Sequence, residues 1–217
     1  MSDSVPFREQ IRRSPVVAVL VIDDAGDAVP LARALLRGGV RAMELTLRTP
    51  AALDALKRVT AEVPELYAGV GTILFPGQIA QVKAAGAAYG VSPGFNPAVV
   101  DAARAAGLPF APGIATPSEI EAAYGKGCDV VKVFPAEPLG GLPYIKAIAA
   151  PYSHLGIAYI PLGGVSMKNL ASYLEWPEVL AVGGSWLATR DLIKAKDWDA
   201  ISRNCEEASS LAARVRG

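Results

Sequence analysis

Eight short apolar runs recur along this chain, and alanine-rich, helix-like segments separate them. The runs are Val16–Ile22, Ala42–Leu47, Tyr67–Ile73, Ala87–Ser92, Phe110–Ile114, Val130–Phe134, Ala158–Leu162 and Val179–Gly184. Between them lie segments such as Ala28–Arg37, Pro50–Glu62, Gly77–Ala85 and Pro97–Ala106. Strands that are apolar on both faces must be covered on both, which means a parallel sheet wrapped in helices. Eight such units in 217 residues favour a closed (β/α)8 barrel, the TIM barrel of the α/β class, over an open sheet. The open-sheet fingerprint G-x-G-x-x-G is also missing after the first strand, where Asp23 and Asp24 stand instead.

Local signals agree with that division. Thr49-Pro50, Asn96-Pro97 and Thr116-Pro117 each place a capping residue before a proline at the first helical position. Gly38-Gly39, Gly86 and Gly107 supply left-handed stops at helix ends. Residues 1–14 read as an extra N-terminal helix and Trp198–Arg214 as a final one, so a single domain over residues 1–217 is expected.

Charge narrows the possible partners. Lys+Arg and Asp+Glu both number 21, so no overall field draws the chain to nucleic acid or an anionic membrane. Any bound phosphate must be caught locally. No run is long enough to span a bilayer. Arg12-Arg13 before Val16–Ile22 only faintly imitates a signal peptide, since two aspartates follow and no cleavage site appears. Cys128 and Cys205 show no metal or redox spacing, which suits a reducing cytoplasm. His154 is the single histidine, in an expected exposed turn over Pro151–Gly156, so a Ser-His-Asp triad or a His-rich metal site is not expected.

Three strands carry polar residues that a purely structural strand avoids. In Val130-Val131-Lys132-Val133-Phe134, alternation puts Val130, Lys132 and Phe134 on one face. Both faces of a barrel strand are dry, burial disfavours the charged form of an amine, and the neutral amine is what attacks a carbonyl. Lys132 is therefore a candidate nucleophile, the alternative being a lysine that snorkels to water or pairs with a carboxylate. In Arg41–Arg48, Met43, Leu45 and Leu47 share one face, while Glu44, Thr46 and Arg48 share the other. Glu44 and Arg48 read equally as a structural ion pair or as a proton shuttle beside a carboxylate clamp. Thr72 closes Gly69-Val70-Gly71-Thr72 with a hydroxyl, where flanking glycines allow backbone to approach a ligand. Gly163-Gly164 and Gly183-Gly184-Ser185 end the last two strands, where many barrels bind phosphate on exposed N–H groups.

In order and spacing these segments resemble the 2-keto-3-deoxy-6-phosphogluconate (KDPG) aldolase family. The resemblance runs from Pro15-Val16-Val17 nearly to the C-terminus. It rests on Glu44-Leu45-Thr46-Leu47-Arg48-Thr49, Gly69-Val70-Gly71-Thr72, Ser92-Pro93-Gly94, Pro112-Gly113-Ile114, Lys132-Val133-Phe134-Pro135-Ala136-Glu137, Gly163-Gly164 and Gly183-Gly184-Ser185-Trp186. It implies retro-aldol cleavage of KDPG to pyruvate and glyceraldehyde 3-phosphate, with 4-hydroxy-2-oxoglutarate as a second substrate of some members. It carries over Lys132 as the Schiff-base lysine, Glu44 as general acid/base, and Arg48 and Thr72 as binders of the substrate carboxylate. Pro93, Phe134 and Leu162 become pocket walls, and Gly163, Gly164 and Ser185 hold phosphate. The resemblance further implies a homotrimer with no metal and no cofactor. Two positions depart from the family pattern: Leu162 stands where threonine usually precedes the glycine pair, and Ala115 where serine usually follows the isoleucine. A phosphosugar isomerase or epimerase, or a non-catalytic barrel that binds phosphorylated metabolites, needs the glycine loops but not the lysine.

Overall fold

The computed structural model describes residues 6–217. Its strands are β1 (Val16–Leu20), β2 (Ala42–Thr46), β3 (Tyr67–Gly71), β4 (Tyr89–Val91), β5 (Phe110–Ala111), β6 (Gly113–Ile114), β7 (Val130–Val133), β8 (Ala158–Pro161) and β9 (Val182–Gly184). The helices are α1 (Phe7–Arg12), α2 (Ala28–Arg37), α3 (Ala52–Glu62), α4 (Pro76–Ala84), α5 (Pro97–Ala105), α6 (Pro117–Gly125), α7 (Gly141–Ala149), α8 (Leu170–Leu174), α9 (Arg190–Lys194) and α10 (Trp198–Arg216). One expected strand is divided: β5 and β6 flank Pro112, which has no N–H to give to a ladder.

All the strand pairs are parallel. They run in the orders β5-β4-β3-β2-β1-β9 and β6-β7-β8. The chain continuity of β5 and β6 joins the two sheets on one side. On the other, Leu162 bridges Gly183 and Tyr159 bridges Val179. The ring is thereby closed as the expected barrel. The last strand is shorter than Val179–Gly184, because Val179 makes only that isolated bridge before β9 begins.

Alternation sorts the side chains into two shells. Val17, Ala42, Val91, Val130, Ala158, Ile160 and Leu162 fill the barrel interior. Val16, Ala18, Leu20, Met43, Leu45, Val131 and Val133 face the helix layer. Phe7 and Ile11 of α1 join the interior shell, with the Phe7 ring 5.3 Å from Tyr89 and Tyr89 5.1 Å from Tyr67. Tyr67 opens β3, so α1 closes the barrel at the N-terminal ends of the strands. The extra helix expected over residues 1–14 thus occupies Phe7–Arg12, and residues 1–5 lie outside the described part.

Some expected caps form and one does not. Asn96 accepts from the Ala98 N–H, and Thr116 and Glu119 make a reciprocal capping box. Thr49 caps nothing: α3 begins only at Ala52, and the Thr49 hydroxyl donates to the Ile22 carbonyl at 2.5 Å. It fastens the loop after β2 to the end of the first apolar run instead. Both cysteines are buried and unpaired, and burial pushes the Cys205 thiol up to about 12. His154 is exposed, as expected, in a short 3-10 turn over Ala150–Leu155. Among the described residues, no helix is long and apolar enough to cross a membrane.

Candidate active site

Parallel strands put all their C-terminal ends on one face, and barrel enzymes build their sites there. That face collects Arg48 after β2, Thr72 after β3, Pro93 after β4, Phe134 after β7, Gly163 and Gly164 after β8, and Ser185 after β9.

Lys132 and Glu44 reach the same point from across the barrel. Lys132 points inward from β7 and Glu44 inward from β2. Lys132 Nζ lies 2.9 Å from Glu44 Oε1 and 3.2 Å from Oε2. The two side chains are only 6% and 4% exposed, so this is a buried ion pair rather than a surface one. Of the surroundings weighed for Lys132 from the sequence, the structure shows the pairing with a carboxylate, inside the barrel and away from water. The structure also shows which charge Glu44 meets. Its ionic partner is Lys132, while Arg48 Nε donates to Thr46 Oγ1 at 3.2 Å. The Thr46 hydroxyl in turn donates to the Leu20 carbonyl at 2.9 Å, which anchors Arg48 to β1 through β2.

Glycines on β3 make this geometry possible, though not in the way the sequence suggested. A Cβ on Gly71 would lie 1.9 Å from Glu44 Oε1, and one on Gly69 would lie 2.1 Å from the Tyr89 ring. The two positions give their space to a carboxylate and to an aromatic ring of the chain itself, rather than to a ligand. Tyr89 uses that space to donate its hydroxyl to the Met43 carbonyl at 2.7 Å, beneath the ion pair. Burial holds the Tyr89 hydroxyl well above its usual range, so it remains a donor.

The surrounding residues form a rim. The Phe134 ring is centred 5.3 Å from Lys132 Nζ and is 37% exposed, an aromatic wall over the amine. Thr72 is half-buried and held at φ 61°, a backbone region that a β-branched residue rarely enters. Such strain persists only where the surroundings over-determine it, and it clusters at functional positions. Pro93 packs so closely on β6 that a Cβ on Gly113 would lie 2.3 Å from its carbonyl. Gly163 and Gly164 have φ of 91° and 86°, successive left-handed residues that side chains would strain. Leu162 is buried, faces the barrel interior, and lies where a Cβ on Gly183 would meet it at 2.6 Å.

A cleft of about 500 Å³ opens on this face between Arg48 and Ser185, within the size range of small-ligand sites. Arg190 also lines it. Sequence reading passed over Arg190, whose only signal is its place just beyond the Gly183-Gly184-Ser185 turn.

The chain matches the family model "KDPG and KHG aldolase" over residues 7–204. It belongs to the KDPG and KHG aldolase family. A "2-dehydro-3-deoxy-phosphogluconate aldolase" of Pseudoalteromonas atlantica is 44% identical over 97% of both chains. The "KHG/KDPG aldolase" of Escherichia coli is 43% identical over 89% of this chain and 90% of that one. Among solved structures, KDPG aldolase of Legionella pneumophila, with pyruvate captured as a covalent carbinolamine, superposes with a TM-score of 0.90. It is 38% identical and covers 94% of this chain and 98% of its own. Membership of the KDPG and KHG aldolase family gives the buried Lys132–Glu44 pair its chemical context, because a carbinolamine is what an amine forms on a ketone.

Proposed function

We propose that this protein is a Schiff-base aldolase that cleaves KDPG to pyruvate and D-glyceraldehyde 3-phosphate. The observation that carries this reading is the amine of Lys132 held 2.9 Å from the Glu44 carboxylate at the mouth of the barrel. Family membership and the pyruvate carbinolamine of the Legionella pneumophila aldolase support it.

In the proposed cycle Lys132 gives a proton to Glu44, and the free amine adds to the C2 ketone of the substrate. Glu44 returns a proton to the carbinolamine hydroxyl, which leaves as water and makes a protonated imine. That cation draws in the electrons of the C3–C4 bond as Glu44, directly or through one water, takes the C4 hydroxyl proton. The aldehyde departs, the remaining enamine is protonated at its terminal carbon, and water releases pyruvate from Lys132. Arg48 and Thr72 hold the carboxylate, Pro93, Phe134 and Leu162 wall the pocket, and Gly163, Gly164 and Ser185 receive the phosphate. None of these steps calls for a metal or a cofactor.

The name of the Escherichia coli relative favours a second substrate of the same chemistry, 4-hydroxy-2-oxoglutarate. A cytoplasmic enzyme acting as one barrel domain, assembled as a homotrimer, completes the proposal; light scattering checks the assembly.

Borohydride reduction of the wild-type protein with pyruvate, followed by peptide mass spectrometry, tests the central claim. The expected result is one reduced adduct, on Lys132. An adduct on Lys83 or Lys168, or none, overturns the assignment, and the isomerase and non-catalytic binding readings predict none. Lys132→Ala should lose both trapping and turnover. Because it strands a buried carboxylate at a cost of about 3–5 kcal/mol, the Lys132→Met/Glu44→Gln double variant provides a folded control.

A further inference from the structure

The cleft beside Ser185 has a cation that neither the family motifs nor the ion pair in the barrel accounts for. Arg190 begins α9 and lines the cleft together with Arg48, Ser185, Thr189, Val19 and Val21. Its guanidinium is gripped in a fork by Asp23, which follows the first apolar run: Nε donates to Oδ2 at 2.7 Å and Nη2 to Oδ1 at 2.5 Å. Those two bonds leave Nη1 and the second hydrogen of Nη2 unengaged by Asp23. Lys194, one turn further along α9, lies 3.7 Å from the same carboxylate.

Stability alone explains this arrangement poorly. Arg190 and Asp23 side chains are 54% and 32% exposed, and ion pairs so open to water contribute little. Geometry explains it better. A long arginine left free would sample many rotamers in solvent, whereas the two-point grip fixes its fork beside the cleft. Charge points the same way. Among the described residues that line the cleft, Arg48 and Arg190 carry charge and both are cations, while Asp23 grips Arg190 from beside it. Asp191 also neighbours Arg190. A lining with two cations, next to an exposed serine hydroxyl and the glycine turn of β9, suits a multiply charged anion better than a neutral sugar.

We propose that Arg190, positioned by Asp23, determines specificity by supplying a side-chain cation to the distal phosphate of the substrate. The inference rests on the aldolase reading above and adds a residue to it. Asp23 acts here as a positioning residue.

The test compares KDPG with the same sugar acid lacking phosphate, 2-keto-3-deoxygluconate, in wild type, Arg190→Ala and Arg190→Glu. The readout is the ratio of kcat/KM for the two substrates. It should fall roughly tenfold in Arg190→Ala, the worth of one charge-assisted contact at a partly exposed site, and further on charge reversal. The drop should lie mainly in KM for KDPG. A ratio equal to wild type in both variants, or an equal loss on both substrates, overturns the inference while leaving the aldolase reading intact. A wild-type protein that cleaves neither substrate instead sinks the aldolase reading, and this inference with it.

Discussion

At the scale of single residues, the site is a problem of placing two opposite charges in a dry interior. Removing both Lys132 and Glu44 from water is costly, and only close approach offsets that cost. Close approach in turn demands that β3 carry no side chain at Gly71, where a Cβ would lie 1.9 Å from the carboxylate. Glu44→Gln tests what the charge is for. The amide keeps the shape but cannot shuttle protons. Trapping with pyruvate should survive, while cleavage per folded molecule slows by about 10²–10⁴-fold. A variant that is unstable yet turns over normally per folded molecule would show Glu44 to be only the structural partner of Lys132.

At the scale of elements, the loops after β7 and β8 are tied to each other before any ligand arrives. The Ala136 N–H donates to the Leu162 carbonyl at 2.7 Å and the Glu137 N–H to the Gly163 carbonyl at 2.9 Å. The Glu137 carboxylate accepts from the Tyr173 hydroxyl of α8, and its Cβ lies where a Cβ on Gly164 would come within 2.5 Å. The segment after the lysine strand and the glycine pair are therefore bonded directly to each other, through Leu162 and Gly163. Leu162 offers no hydroxyl to the substrate, so weak discrimination between C4 epimers is expected. Leu162→Thr, assayed on KDPG and its galactonate epimer, should shift the kcat/KM ratio by about 2- to 12-fold, the worth of one neutral hydrogen bond. An unchanged ratio would make Leu162 packing against Gly183 and nothing more.

At the scale of the whole molecule, the barrel has one end that carries the candidate site and another closed by packing. α1 closes the latter with Phe7 and Ile11, and Ile11 is fully buried. Ile11→Ala removes methylenes from a packed interior and should lower unfolding free energy by about 2–5 kcal/mol in urea titration. Turnover of the remaining folded protein should change little, because the Lys132–Glu44 pair sits toward the opposite end of the strands. A matching loss of kcat per folded molecule would mean that the two ends are coupled through the Tyr67–Tyr89 stack.

The sequence by itself determined the alternation of strand and helix, which side chains share a face on the two polar-bearing strands, and the exceptional status of Lys132. Those follow from periodicity, which is local: a period of two groups Lys132 with Val130 and Phe134, and Glu44 with Thr46 and Arg48, without knowledge of their neighbours. Motif order then tied the chain to its family. The partner of Glu44 was not legible, because Arg48 is close in sequence while Lys132 comes near only through barrel closure. For the same reason the β3 glycines suggested a ligand, whereas their true neighbours are side chains from β2 and β4. Thr49 looked like a cap because capping is a sequence-local pattern, yet the Ile22 carbonyl just beyond β1 accepts its hydroxyl instead. Asp23 and Arg190 show the limit most plainly. Residues 167 apart in the chain carry no shared pattern, and only the closing of β9 against β1 brings them to one cleft.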